Sequence, residues 1–346
     1  HIIRKIVIST GVVTTLAGAS SGYADSTDGT GLSASFKEPA GITTDGTNLY
    51  VSDYANHRIR KIVISTGVVT TLAGSGSASF ADGTGTSATF NYPYGITTDG
   101  TNLYVVDYWN HRIRKIVIST GVVTTLAGSG TSGTTDGTGA SAKFYYPRGI
   151  TSDGTNLYVS DYNNNRIRQI VISTGVVTTL AGSGAAGSTD STDGTGTSAK
   201  FYYPRGITSD GTNLYVSDYN NNRIRQIVIS TGVVTTLAGS GAAGYADGTG
   251  TSATFSNPDG VTTDGTNLYV SDQTNNRIRK IVISTGVVTT LAGSSYGSSD
   301  GTGTSATFKL PHGITTNGTN LYVSDYSSHR IRKIDLSKKE TTDLSL

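Results

Sequence analysis

Cysteine and methionine are missing from all 346 residues. Without a thiol there is no disulfide framework, no zinc–thiolate site and no thiol nucleophile, and the redox compartment is left open. Without a methionine, His1 is not expected to be a translation start, so a leader or further sequence is expected upstream of it. Among 24 acidic side chains only Glu38 and Glu340 are glutamates. Most of the aspartates stand beside glycine or serine, where Asp makes turns, so no carboxylate-rich active site is in view. The 26 basic side chains leave a net charge of +2, which excludes a strongly charged binder of nucleic acid or anionic membrane. No stretch nears the ~18 apolar residues of a membrane span, and no basic segment followed by an apolar run opens the chain. Glycine, serine, threonine and asparagine are plentiful and lysine is scarce, a balance that suits secreted or surface-exposed bacterial β-proteins.

What the chain does have is a repeat. "IVISTGVVTTLAG" occurs at residues 6–18 and five more times, and residues 141–187 and 198–244 are identical over 47 positions. Repeats of 53–57 residues align on His1, His57, His111, Asn165, Asn222, Asn276 and His329. Each unit reads as four short strands. "GITTD" (41–45) turns through an Asp-Gly pair into "NLYVSD" (48–53), and "RIRKIVIS" (58–65) turns at Thr66-Gly67 into "VVTTLAG" (68–74). β-Branched residues dominate and helical periodicity is absent. Ile62, Val63 and Ile64 are consecutive, so both faces of each sheet must be covered.

Four-stranded antiparallel units repeated radially make a β-propeller, in which every blade buries both faces against its neighbours. Six inner hairpins begin at Gly41, Gly95, Gly149, Gly206, Gly260 and Gly313, so an all-β, six-bladed ring filling residues 1–346 is expected. The repeats run approximately 41–91, 95–145, 149–202, 206–256, 260–309 and 313–334. Residues 1–18 read as a seventh outer hairpin, expected to supply one or both outer strands to the blade begun at Gly313 and so to close the ring. A runner-up is that they are half of another repeat in a longer chain. Residues 335–346 lose the Thr-Gly turn and read as a degenerate last strand or tail.

"NLYVSDYANHRI" (48–59) and "NLYVVDYWNHRI" (102–113), each preceded by Pro-x-Gly, resemble the NHL-repeat family, with Arg in place of the signature Leu and Asn in place of His at Asn165, Asn222 and Asn276. The resemblance implies a six-bladed propeller. It implies no single function, because such relatives include lyases, lactonase-like enzymes, sensor domains and RNA binders.

Comparing blades separates scaffold from site. Positions identical in every blade serve folding, and positions that differ are free for other work. Asp53, Asp107, Asp161, Asp218, Asp272 and Asp325, each with an Arg five residues on such as Arg58 or Arg166, read as structural ion pairs. The His/Asn position reads as a turn bond, since Asn replaces a hydrogen-bonding His but not a catalytic base. Phe36, Phe90, Phe144, Phe201, Phe255 and Phe308 read as plugs between blades.

Following the chain, the near-identical Asp-Gly and Thr-Gly turns fall on one face and all variation on the other, called here the top face. Between Pro and Gly, at the channel mouth, stand Ala40, Tyr94, Arg148, Arg205, Asp259 and His312. The second turn offers Tyr54, Tyr108, Tyr162, Tyr219, Gln273 and Tyr326, next to Ala55, Trp109, Asn163, Asn220, Thr274 and Ser327. Loops between blades add Tyr23, Phe80, Tyr245 and Tyr296. Two guanidiniums at a mouth suit a carboxylate, sulfate or phosphate, and Trp109 with the tyrosines suits a sugar ring or a protein surface. The bland alternative is that Asp259 neutralises Arg205.

His312 is the one histidine outside the repeat and the weak catalytic candidate, with no His, Glu or Cys placed beside it for a metal shell or a base-orienter pair. Asp25 with Asp28, and Asp190 with Asp193, are weak calcium candidates. Their spacing of three and the missing bidentate Glu favour plain turns. The expectation is a non-enzymatic interaction module at a cell surface, binding a protein or glycan partner on the top face, with no required cofactor, no nucleic acid and no membrane insertion. The rival is a lyase- or lactonase-like enzyme at the mouth around His312, Arg148 and Arg205.

Overall fold

The computed structural model describes residues 14–18, 26–184, 192–328 and 330–335. The first blade shows how the repeat folds. Its innermost strand, Pro39–Thr44, meets Asn48–Asp53 across a turn in which Asp45 Oδ1 accepts from the N–H groups of Thr47 and Asn48, at 2.8 and 2.6 Å. Gly46 supplies the φ of 90° that this turn needs. A single 3-10 turn, Tyr54–Asn56, then leads into Arg58–Val63 and Val68–Ala73. All pairings are antiparallel.

The four expected strands gain a fifth. Gly29–Thr30, from the "DGTG" loop ahead of the blade, pairs with Val69 and Val68 and covers the outer edge of the sheet. Five sheets have this five-stranded order. The sixth runs Thr14–Thr15, Arg330–Asp335, Asn320–Asp325, Pro311–Thr316, so the chain's beginning supplies the outer strand and its end the next one. Leu16 and Ala17 pack with Phe36, Leu49 and Tyr322 to seal the junction. The N-terminal segment provides one outer strand there rather than two, because Arg330–Asp335 already occupies the third position. Residues 1–13 and 336–346 lie outside the described residues.

The inner strands approach one another closely at the axis. A Cβ on Gly41 would overlap the carbonyl oxygen of Tyr94. The same holds for Gly95 with Arg148, Gly149 with Arg205, Gly206 with Asp259, Gly260 with His312, and Gly313 with Ala40, which completes the circle. Between blades lie apolar layers such as Tyr50, Ile59 and Ala73 against Phe90, Ile96, Leu103 and Ile116. The six "SAxF" phenylalanines are buried there, each stabilising the ring by about 1.5–3 kcal/mol.

The ion pairs differ from the expected ones. Asp53 bonds Arg60, seven residues on, at 2.9 Å, and not Arg58. Asp107–Arg114, Asp161–Arg168, Asp218–Arg225, Asp272–Arg279 and Asp325–Arg332 repeat the pattern at 2.7–3.0 Å, all with fully buried side chains. The reason is the register. Asp53 faces Arg58 directly, but Arg58 turns outward to the Ser26 and Ser75 carbonyls, and Arg60 reaches back diagonally. Its other nitrogen bonds Asp28 at 2.7 Å. Arg225 likewise holds Asp193 at 2.8 Å. Asp28 and Asp193, the weak calcium candidates, are thus committed to buried guanidiniums, while Asp25 and Asp190 lie outside the described residues. Among the described residues no three His, Cys, Asp or Glu side chains are grouped to hold a metal ion, and no helix is long and apolar enough to cross a membrane.

Candidate functional site

The glycines that pack around the axis place each preceding residue at the top mouth of the channel, a cavity of about 70 Å³ lined by the Gly-Ile pairs of five inner strands and by Gly260-Val261 of the other. Five of these six positions carry side chains that can bond, and they bond to one another. Arg205 donates to Asp259 Oδ2 at 2.5 Å and lies 3.3 Å over the Tyr219 ring. Neutralisation of Arg205 by Asp259 therefore holds. Tyr94 is buried, not presented to solvent. Its hydroxyl lies 3.0 Å from His312 Nδ1 and 3.1 Å from Arg148 Nη1, which donates to it. Gln273 Oε1 accepts from the Tyr219 hydroxyl, so its amide nitrogen faces His312 Nε2 and donates to it; the imidazole therefore carries its proton on Nδ1, which donates to the Tyr94 hydroxyl, and that hydroxyl points its own proton at Asp259 Oδ2.

His312 has little freedom to act as a base. It stacks on Tyr326 at 4.0 Å and 11°, and its Nε2 meets the Gln273 side-chain amide. Burial lowers its pKa to about 4, so it is neutral at physiological pH.

Arg148 is different. Nη1 serves Tyr94, while Nε and Nη2 have no hydrogen-bond partner among the described residues, and no carboxylate is paired with the group. Three tyrosine rings surround it instead, Tyr162 at 4.4 Å, Tyr94 at 4.7 Å and Tyr108 at 5.2 Å. Ring faces hold a cation without neutralising it. Of the two guanidiniums at the mouth, Arg205 has a carboxylate partner and Arg148 has none, while the Nε of each is buried without a hydrogen bond.

Outward from Arg148 the tyrosines continue into an arc that the blade comparison did not find. The residue before each Pro adopts a left-handed φ: Glu38, Tyr92, Tyr146, Tyr203, Asn257 and Leu310 all fall between 48° and 57°. Each crosses to the preceding blade. Tyr92 packs on Tyr54 at 4.8 Å, Tyr146 stacks on Tyr108 at 4.9 Å, Tyr203 stacks on Tyr162 at 4.6 Å, and Glu38 accepts from the Tyr326 hydroxyl at 2.9 Å. The repeat's His or Asn holds the strained residue in place. His111 Nδ1, Asn165 Oδ1, Asn222 Oδ1 and Asn276 Oδ1 accept the N–H of Tyr146, Tyr203, Asn257 and Leu310 at 2.8–3.1 Å. His1 and His329 lie outside the described residues.

Three aromatic pairs on successive blades, with Trp109 4.9 Å from Tyr146 and Tyr145 5.0 Å from it, make one side of the top face aromatic. The opposite side is polar, with Asn257, Gln273 and Thr274. Trp109 is 47% exposed and Tyr145 36%. Phe80 and Tyr245 lie under Arg112 and Arg277, apart from the arc. Tyr23 lies outside the described residues. The signal for Tyr92, Tyr146 and Tyr203 was present in the variation Glu, Tyr, Tyr, Tyr, Asn, Leu before an invariant Pro.

The NHL repeat model matches residues 144–170 and 201–227. The chain is 30% identical to Protein SUPPRESSOR OF QUENCHING 1 of Arabidopsis thaliana over 285 residues, 77% of this chain and 27% of that protein. It is 28% identical to human NHL repeat-containing protein 2 over 347 residues, 89% of this chain and 48% of that one. It spans between about a quarter and a half of the curated relatives it matches. Solved structures of similar fold include an auxiliary nutrient binding protein of Bacteroides thetaiotaomicron, with TM-score 0.69, 19% identity and coverage of 93% and 76%. Another is virginiamycin B lyase of Staphylococcus aureus, with TM-score 0.52, 18% identity and coverage of 87% and 95%. Repeat match, relatives and six-bladed ring agree: the chain carries NHL repeats, built into a β-propeller.

Proposed function

We propose that this chain is a non-enzymatic binding module that captures a protein or glycan partner on its top face, through the channel mouth and the aromatic arc, and that it does so outside the cell. The observation that carries the reading is Arg148, a half-buried cation with no carboxylate partner and with Nη2 unbonded among the described residues, set where aromatic side chains converge. A fold needs no such group, and an anionic partner supplies what it lacks. Restriction of side-chain variation to this face supports the reading, and so does the name of the nutrient-binding structural neighbour. Catalysis at the mouth would want a free base. His312 has both nitrogens engaged and is stacked on Tyr326.

The test is capture from the native surface fraction by the intact protein and by Trp109→Ala and Arg148→Glu. Both variants should capture less partner at nearly unchanged melting temperature. Undiminished capture by both overturns the proposal. Turnover of a lactone, glycoside or peptide-derived substrate that His312→Ala abolishes would replace it with the enzymatic reading.

A further inference from the structure

Within that reading, on which this step rests, we infer that the partner is an acidic oligosaccharide, with a carboxylate on Arg148 and a neighbouring pyranose ring on the Trp109–Tyr145 side of the arc. Three features of the arc select this chemistry.

The first is the cation. Arg148 keeps Nη2 without a hydrogen bond among the described residues while its Nε is buried, and Asp259, the one carboxylate among the six mouth residues, is already held by Arg205, so the anionic oxygen that would meet Nη2 comes from outside. The second is spacing. From Arg148 to the Tyr108 ring is 5.2 Å, from Tyr108 to Tyr146 4.9 Å, and from Tyr146 to Tyr145 or Trp109 5.0 or 4.9 Å. Tyr108 is also 6.1 Å from Trp109 directly, so one ring lies between the guanidinium and the exposed indole. A ligand that reaches across that ring carries charge at one end of the contact and a C–H-rich face at the other.

The third feature decides between a sugar and a protein. Each exposed ring belongs to a residue whose main chain bonds that of an Asn, and the side chain of that Asn makes no hydrogen bond among the described residues. The Trp109 main-chain N–H donates to the Asn91 carbonyl, and the Asn163 main-chain N–H donates to the Tyr145 carbonyl, which brings an Asn backbone alongside that of each platform residue. Pyranoses want this combination, a ring for the C–H face and an amide for the hydroxyl edge. A protein hot spot would want aliphatic anchors too, and the exposed aliphatic side chains Leu32, Val122, Val233 and Val287 belong to the bottom-face turns and the strands that leave them.

Calorimetric titration of the intact protein tests this, using uronate trisaccharides of several linkages, the matching neutral trisaccharides, the uronate monosaccharides and a tetra-aspartate peptide. At least one uronate trisaccharide should bind at least tenfold more tightly than its neutral counterpart. Arg148→Met should weaken it tenfold or more, with Arg148→Lys recovering part of the loss. Trp109→Ala should weaken the trisaccharide at least fivefold and the monosaccharide less than twofold. Melting curves of the three variants should overlay that of the parent. Equal binding of acidic and neutral trisaccharides, or no binding of any uronate probe, overturns the inference. Preferential, Arg148-dependent binding of the acidic peptide overturns the sugar assignment and leaves the top-face reading standing, whereas undiminished capture by the Trp109 and Arg148 variants removes that reading itself.

Discussion

His57 Nδ1 accepts a hydrogen bond from the main-chain N–H of Tyr92 at 3.1 Å, across the gap between the first and second blades. His57 is itself in the left-handed region, at φ 55°, and so is Tyr92, at 54°. One strained residue therefore holds another, and the second displays a ring on the top face. An Asn side-chain oxygen reaches the same N–H in later blades, so the histidine is needed as an acceptor and not as an acid or base.

It follows that His57→Asn should change stability little, while His57→Ala leaves the Tyr92 N–H without its acceptor and should cost about 1–3 kcal/mol in urea unfolding. Acid should act like the alanine variant. Burial lowers the His57 pKa, and a protonated Nδ1 cannot accept. A large loss in His57→Asn would show that the imidazole does something the staple does not require.

The two arginines of each "RIR" segment should differ sharply. Arg114 bonds Asp107, Asp82 and the carbonyls of Thr89 and Ala81, all from a fully buried position. Arg112 bonds the Ser129 carbonyl and covers the Phe80 ring. Arg114→Ala strands a buried Asp107 and should cost about 3–5 kcal/mol. Arg112→Ala should cost no more than about 1 kcal/mol. Equal losses in thermal unfolding would return the structural pair to the nearer arginine.

These contrasts explain what was legible in the sequence and what was not. Blade number and strand order could be read because every blade has the same Pro-x-Gly, Asp-Gly and Thr-Gly punctuation, and each of those has a local steric cause. The arginine partner could not be read from spacing, because it depends on which of two same-face residues turns inward once the strands are in register. Tyr92, Tyr146 and Tyr203 were hidden for a different reason. A residue before proline is expected in extended backbone, and only the staple from the neighbouring blade holds it at positive φ. The mouth residues were placed together by the topology alone, but the split between a neutralised Arg205 and an unpaired Arg148 depends on side-chain geometry.

The axial glycines give a prediction about ring closure. A methyl group at Gly206 would overlap the Asp259 carbonyl, which belongs to a strand that cannot retreat without opening the mouth, whereas Gly100 has open space and only its φ of 87° to satisfy. Gly206→Ala should cost about 2–4 kcal/mol and also disturb the Arg205–Asp259 pair. Gly100→Ala should cost about 1 kcal/mol, as backbone strain alone. Comparable melting temperatures for the two variants would mean that the ring breathes at its axis.

His312 provides the pH test. Its folded pKa, about 4, lies below the ordinary histidine value of 6.5, because burial among Tyr94, Tyr326 and Gln273 disfavours the charged form. Between these two values the unfolded chain binds a proton that the folded chain refuses, so stability must fall as pH falls. The contribution is whole above pH 6.5, declines by up to about 1.4 kcal/mol per pH unit through the window, and is spent near pH 4. His57 and His111 are shifted in the same direction, so the parent curve alone does not isolate the effect. The difference between parent and His312→Asn does. Unfolding free energies measured at half-unit steps from pH 7.5 to pH 4 should converge by about 3 kcal/mol across the window. Parallel curves would mean that His312 is charged in the folded ring, in which case the mouth would carry a third cation beside Arg148 and Arg205 and bind anions more tightly near neutral pH than the neutral imidazole allows.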